Sequence, residues 1–161
     1  MKFFTDEEAQ QAMADGRILA CARLTHEANR AWCILHGDES QHMWDWAPDW
    51  QRLSAVKGVL GVLAGNSPEE SHLGWLKEKQ EKGWIYGLVK DPDAVPPTHP
   101  AMVAYADLPV HQLKKDQIFV GTCMVMAIAC DLPIKQLMDA IAKSKDDEAA
   151  NQVEGQDGLD V

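Results

Sequence analysis

The sequence predicts a mainly α-helical fold, and three kinds of observation support this prediction. Apolar residues recur at helical spacing along several long segments. Capping boxes of the Ser/Thr-x-x-Glu type, at Thr5–Glu8 and Ser67–Glu70, mark two helix starts. Asp-Leu-Pro sequences at 107–109 and 131–133 mark two more, and Gly83 marks a helix end. A chain of 161 residues fits one domain with a real core.

Two helices are predicted in the first 36 residues. The first runs from Asp6 to Ala14, ends by Gly16 and forms an accessory segment over residues 1–16. The second runs from Arg17 to His36. Its apolar residues fall near one side of the helix and comprise Ile18, Cys21, Ala22, Ala28, Ala31, Trp32 and Leu35.

A polar strip lies beside this apolar side, at positions i, i+3, i+4 and i+7. It is formed by His26, Asn29, Arg30 and Cys33. Such a strip can converge on a ligand or hydrogen-bond a neighbouring loop, and we favour the loop while both remain open.

The next helix follows a loop over 37–47 that contains Trp44 and Trp46. Pro48 opens this helix, which is predicted to run from Asp49 to Ala64. Gly58 and Gly61 leave one side narrow, and a glycine inside a helix costs about 1 kcal/mol relative to alanine. They therefore indicate close approach of another helix or, less simply, of a ligand.

The helix that begins at Ser67 presents His72, Trp75 and Lys79 on one side, and Leu73 and Leu76 are the predicted core side. Trp84 and Tyr86 follow Gly83 directly. Aromatic residues at such a position either line a ligand site or fix a loop to the core, and the residues alone do not decide between these roles.

Two further helices are predicted near the end of the chain. One follows residues 107–109 and runs to about Ala129; the other is amphipathic and spans 131–143, with Leu137 and Ile141 on its apolar stripe. The residues from 144 to 161 contain six acidic side chains against one lysine and show no periodicity, which predicts a disordered tail.

Composition excludes several classes of partner. A net charge of −10 argues against nucleic acid or an anionic membrane surface as the main partner. The longest apolar run is too short to span a bilayer. The four cysteines form no Cys-x-x-Cys pair and the N-terminus shows no signal peptide, so we expect reduced thiols in a cytoplasmic protein.

Catalysis is not predicted. The sequence shows no nucleophile with an adjacent base, no phosphate loop and no metal-spaced ligand set, so we expect neither cofactor nor metal. His26 with Glu27, or His72 with Asp91, could act as acid and base. The simpler interpretation is that these histidines are hydrogen-bonded loop anchors.

Several motifs between Leu19 and Val120 resemble the RyR domain, the repeat named after the ryanodine receptor, in its single-copy bacterial and phage form. Ala101 and Ala104, and two prolines in the loop 93–98, depart from the usual pattern. The matching residues are His26-Glu27-Ala28-Asn29-Arg30-Ala31-Trp32, Gly37-Asp38, Trp44, Ala47-Pro48, Trp50-Gln51-Arg52, Ser71-His72, Trp75-Leu76-x-x-Lys79, Gly83-Trp84-x-Tyr86-Gly87, Lys90-Asp91-Pro92, His99-Pro100, Tyr105, Leu108-Pro109, Lys115-Asp116 and Phe119.

The resemblance implies a helical RyR-type domain over 17–130 with a short β-like element near 84–90, flanked by the N- and C-terminal helices. It implies ligand binding without catalysis. Prokaryotic RyR domains are associated with nucleotide signalling and antiviral conflict, so the expected ligand is a nucleotide or nucleotide-derived signal such as an ADP-ribose derivative or a cyclic nucleotide. A phage-encoded sponge in the bacterial host cytoplasm is the corresponding hypothesis.

The candidate ligand-binding residues divide into groups that stack, groups that bind phosphate and groups that read hydroxyls or base edges. The alternative function is a protein–protein interaction module that assembles, as a homo-oligomer, through the C-terminal helix. The full set of candidates is Asn29, Arg30, His72, Trp75, Lys79, Trp84, Tyr86, Lys90, Asp91, His99 and Tyr105.

Overall fold

The structure, a computed structural model, describes residues 1–135 of the chain. This part is mainly helical, as the sequence predicts. In chain order its elements are α1 (Asp6–Ala12), α2 (Gly16–Leu35), a 3-10 turn (Trp44–Trp46), α3 (Asp49–Leu63), α4 (Pro68–Glu81), β1 (Ile85–Tyr86), β2 (Thr98–His99), a second 3-10 turn (Tyr105–Asp107) and α5 (Val110–Ala129).

The helix boundaries follow the local signals closely. Both predicted capping boxes form. The side chain of Thr5 accepts from the Glu8 amide and that of Ser67 from the Glu70 amide, and each glutamate carboxylate accepts from the backbone amide of the capping residue. Gly83, with φ of +78°, ends α4 in the left-handed conformation that favours glycine.

The core lies where α2 packs against α3 and α5. The sulfurs of Cys21 and Cys123 lie 3.6 Å apart, and the indole N–H of Trp32 donates to the His111 carbonyl at 2.8 Å, so α2 and α5 run antiparallel. All four cysteines are free thiols. The buried core residues are Ala9, Cys21, Ala22, Trp44, Ala55, Val56, Val59, Val62, Val120 and Cys123.

The predicted inward side of α2 is wrong in its last two turns. Leu35 is 77% exposed, whereas His26 and Cys33 of the polar strip are each only 5% exposed. His26 can be buried because its ring bonds the carbonyl of His42 at 2.7 Å, and hydrogen-bonded polar groups are buried at little cost. Asn29 and Arg30 of the strip are half-buried.

The predicted core side of α4 is wrong at Leu73, whereas Leu76 is half-buried. Leu73 is exposed, and His72 and Lys79 are buried instead. His72 bonds both the 101–104 loop and α5, which offsets the cost of removing its ring from water.

A short β element forms where the resemblance implies it. β1 and β2 pair in parallel, with Ile85 opposite Thr98 and Tyr86 opposite His99. Because residue 99 pairs with residue 86, the loop between the strands folds back and places His99 beside the end of α4.

The narrow side of α3 faces another helix at Gly58 and the side chain of Asn66, in the α3–α4 loop, at Gly61. A methyl group added at Gly58 would lie 2.6 Å from the ring of Phe119 on α5, so the glycine is required by close packing.

None of the helices within residues 1–135 combines the length and apolar character that a transmembrane segment needs. Most of the predicted helix over 131–143, and all of the predicted tail over 144–161, lie outside the described residues.

Candidate functional site

A cleft of about 820 Å³ opens between α3, α4, α5 and the segment 84–99. All five helices contribute side chains to its lining, α1 only through Asp6. The cleft lies beside the core rather than within it. Seven of the candidate residues line it: Asn29, His72, Trp75, Lys79, Trp84, Lys90 and His99.

Four candidates lie outside this lining. Arg30 pairs with Glu27 at 2.9 Å, and Tyr86 is 52% exposed. The Asp91 carboxylate accepts from the amides of the following turn. Tyr105 supports the cleft from behind, with its ring 5.8 Å from that of His72.

Lys79 is the buried cation of the cleft. It is 6% exposed, and its ammonium lies 4.6 Å from the ring centre of Trp50 and 4.8 Å from that of Trp84. The ion pairs found within residues 1–135 do not include it. Burial lowers its pKa to about 8, and the nearby charge of Glu78 opposes this without forming an ion pair with it.

His99 is buried nearby and stays neutral. The Ala101 amide donates to its Nδ1 at 3.0 Å, and the edge of the ring meets Trp75 with the centres 5.0 Å apart. Burial, and then the charges of Lys115, Lys90 and Lys79, lower its pKa to about 3. At His99 the charges of these three lysines outweigh that of Asp38, which acts in the opposite direction.

Lys90 joins two loops at the side of the cleft. Its ammonium lies 3.3 Å from the Asp38 carboxylate and also bonds the Ser40 hydroxyl. This contact ties the 37–43 loop to the segment between the strands, so both loops are held in place around the opening.

His72 is fixed at the wall shared by α4 and α5. Its Nε2 bonds the Val103 carbonyl at 3.0 Å and its Nδ1 lies 3.4 Å from Asp116. Burial opposes the charged ring, but the bonds to Asp116 and Val103 outweigh burial and raise the pKa. The carboxylate beside His72 is thus that of Asp116, and the pair with Asp91 considered from the sequence is not formed.

Three buried polar atoms in the described part of the chain lack a hydrogen-bond partner, and all three residues line the cleft. They are Asn29 Oδ1, Ser71 Oγ and Gln112 Oε1. An unpaired buried oxygen costs about 1–3 kcal/mol. A bound molecule that brings hydrogen-bond donors would recover part of this free energy.

Trp50, Gln112 and Lys115 line the cleft but are not among the residues predicted from the sequence. Trp50 stands in the first turn of α3, where nothing local distinguishes it from a core tryptophan. Gln112 and Lys115 reach the cleft because α5 runs antiparallel to α2, and this register is a tertiary feature. Lys115 lies far along the chain from the His99-Pro100 motif, so local sequence does not indicate that it shares the cleft with His99.

The polar strip of α2 divides between its two proposed roles. His26 anchors the 37–43 loop, and Glu27 accepts from the Trp44 amide at 2.6 Å. Asn29 lines the cleft, and His26 lines it as well while it anchors the loop. No group of three or more His, Cys, Asp or Glu within residues 1–135 is arranged to hold a metal ion.

Comparison with protein-family models, curated proteins and solved structures finds no match. The resemblance to the RyR domain therefore stays a prediction, and the geometry of the cleft carries the functional argument.

Proposed function

We propose that this chain is a non-catalytic binding protein for a nucleotide or nucleotide-derived signal, such as an ADP-ribose derivative or a cyclic nucleotide. The observation that carries the proposal is Lys79, a buried cation between two tryptophans that has no carboxylate partner in the described chain. The lowered pKa of Lys79 indicates that its surroundings, the two rings included, still disfavour the charged form, and an anionic ligand would offset that cost.

The two kinds of side chain around Lys79 match the two parts of a nucleotide. Trp50 and Trp84 offer aromatic faces, and stacking of a base on such a face contributes about 1–3 kcal/mol. Lys79 offers its charge to phosphate groups, and Lys90 also lines the cleft, where it is paired with Asp38. The net charge of −10 repels anions at long range, so affinity must come from these local cations.

Sequestration is the biological role that fits a binding domain without catalysis. A ligand that is held tightly and released unchanged is removed from its signalling pathway. On the hypothesis of a phage-encoded sponge, that pathway is a host antiviral response.

A thermal-shift screen tests the proposal. Purified protein is heated with nucleotides, cyclic nucleotides, NAD and ADP-ribose, and each ligand that stabilises the fold is recovered and analysed by chromatography. A ligand at 100 times its dissociation constant adds about 2.7 kcal/mol to the free energy of unfolding, which raises Tm by several degrees. Recovery of the ligand unchanged is expected; conversion would make the protein an enzyme, and no shift with any ligand would refute nucleotide binding.

Substitution of Lys79 locates the site. Lys79→Met should weaken binding of the selected ligand by at least about 30-fold, because loss of a buried charge partner costs about 2 kcal/mol or more. The fold should remain intact, since methionine fills the space without an unpaired charge. Lys114→Met, the same change at an exposed lysine outside the cleft, should leave affinity unchanged. If both variants bind the ligand with equal affinity, the ligand does not bind at Lys79.

A further inference from the structure

We propose that His99 is the hydrogen-bond donor at the centre of a phosphate subsite, which Lys115 of α5 completes. This inference rests on the proposed function and specifies which part of the ligand the inner cleft binds. It also adds a residue, Lys115, that acts from a helix distant in sequence.

The ring of His99 is oriented by its surroundings. The register of β2 against β1 fixes its backbone, and the Ala101 amide occupies Nδ1 at 3.0 Å. Trp75 and Trp84 contact the ring edge-on, with centres 5.0 and 6.2 Å away. Since Nδ1 accepts a hydrogen bond, the proton of the neutral ring is on Nε2, and Nε2–H is the donor that His99 can offer to a ligand.

The charge around this donor is positive and comes from three elements. Lys79 lies on α4, Lys90 on the segment between the strands and Lys115 on α5, and all three act on His99. The opposing carboxylate is Asp38, which already accepts from Ser40 and pairs with Lys90. Lys115, like Lys79, takes part in none of the ion pairs found within residues 1–135.

A phosphate group fits this arrangement better than a neutral group does. The lysines supply the charge that an oxyanion needs, while the His99 N–H supplies a directed hydrogen bond. A ring that stays neutral keeps its single donor at Nε2 across the physiological pH range. The subsite therefore suits the phosphate or pyrophosphate of a nucleotide, and free phosphate shares the same chemistry.

A matched pair of variants tests the donor. In His99→Gln the amide nitrogen stands near the position of Nε2 and keeps a donor there. In His99→Asn the amide lies near the position of Nδ1, so the Ala101 amide can keep its acceptor while the distal donor is lost. Lys115→Met tests the charge, and Lys114→Met is its control. The probes are adenosine, AMP, ADP, inorganic phosphate and pyrophosphate, measured by isothermal titration calorimetry.

We expect ADP to bind at least tenfold more weakly to His99→Asn and Lys115→Met, and within about threefold of the parent protein to His99→Gln. Adenosine, which lacks phosphate, should bind all variants equally. Urea unfolding of each variant reports whether the fold is kept. If His99→Asn does not fold, the nitrogen NMR signal of His99 Nε2–H in the parent protein gives the answer, because pyrophosphate should shift it.

The possible failures are distinct. If the parent protein binds none of the probes, the proposed function is wrong for adenine nucleotides and the subsite falls with it. If the parent binds ADP and His99→Asn and Lys115→Met bind it equally well, the nucleotide site stands and this inference is overturned. If phosphate alone binds as tightly as ADP, the subsite is supported and its ligand is free phosphate.

Discussion

At the scale of single residues, the unusual feature is burial of side chains that normally face water. His72, Lys79 and His99 are each less than 8% exposed, and each is treated differently by its neighbours. Acceptors surround His72, aromatic rings flank Lys79, and lysines surround His99. Burial lowers the pKa of both histidines, but the bonds of His72 to Asp116 and Val103 raise its pKa overall, whereas the lysines near His99 lower its pKa further.

The raised pKa of His72 predicts a pH-dependent contribution to stability. Because the folded pKa lies above the ordinary value of 6.5, the charged ring stabilises the fold fully below pH 6.5. That contribution is lost as the pH rises through the folded pKa. Asp116→Asn should therefore lower the free energy of unfolding more at pH 5.5 than at pH 9, as measured by urea titration.

Comparison of the variant with its parent at each pH removes effects common to both proteins, including the opposite contribution of His99. His99 remains neutral in the fold and destabilises it as the pH falls below 6.5, in parent and variant alike. A destabilisation by Asp116→Asn that is the same at both pH values would show that His72 is not charged in the folded protein.

At the scale of elements, the contact between α3 and α5 sets the wall of the cleft. Phe119 packs directly on the backbone of α3 at Gly58, and both residues line the cleft. The glycine lets α5 approach closely, and this approach brings Gln112 and Lys115 to the same opening as α4. The spacing of two helices thus decides which side chains share the site.

Two glycine substitutions in helices distinguish packing from helix propensity. Gly58→Ala should destabilise the protein by about 1–3 kcal/mol, because the added methyl group overlaps the Phe119 ring. Gly121→Ala meets no atom within 4 Å and should stabilise it by up to about 1 kcal/mol. Thermal unfolding of both variants measures the difference.

A stabilising Gly58→Ala would contradict the close packing of α3 against α5. It would mean that the gain in helix propensity exceeds any steric cost at that position. Gly121→Ala serves as the matched reference, since it makes the same chemical change in a helix with open space around it.

At the scale of the whole molecule, the cleft is built from parts of the chain that are far apart in sequence. Asn29, Lys79, His99 and Lys115 come from four different segments, and they meet because the helices pack around one core. A ligand in the cleft therefore contacts several segments at once, and its binding free energy is coupled to global unfolding.

Hydrogen exchange measures this coupling. With ADP at 100 times its dissociation constant, the amides of α2 and α5 that exchange only by global unfolding should slow about 100-fold. Mass spectrometry of exchanged fragments distinguishes them from locally opening segments. Protection confined to 84–99, with α2 and α5 unchanged, would contradict a site shared by all four segments.

Most helix starts and ends could be read from the amino-acid sequence, because their signals are local. The capping boxes at Thr5 and Ser67 and the left-handed Gly83 act within a few residues, so helix starts and ends could be predicted. The residue pattern also indicated seven of the residues that line the cleft, among them Trp75 and Lys79 on α4 and His99 on β2.

Which helix faces are buried, and which residues share the cleft, depends on the tertiary structure. Apolar spacing pointed to Leu35 and Leu73 as core, yet both are exposed, because hydrogen-bonded His26 and His72 occupy the inner faces instead. Lys115 joins the site through the antiparallel register of α2 and α5. Burial and long-range charge depend on neighbours that no local pattern specifies, and these determine the chemistry of the site.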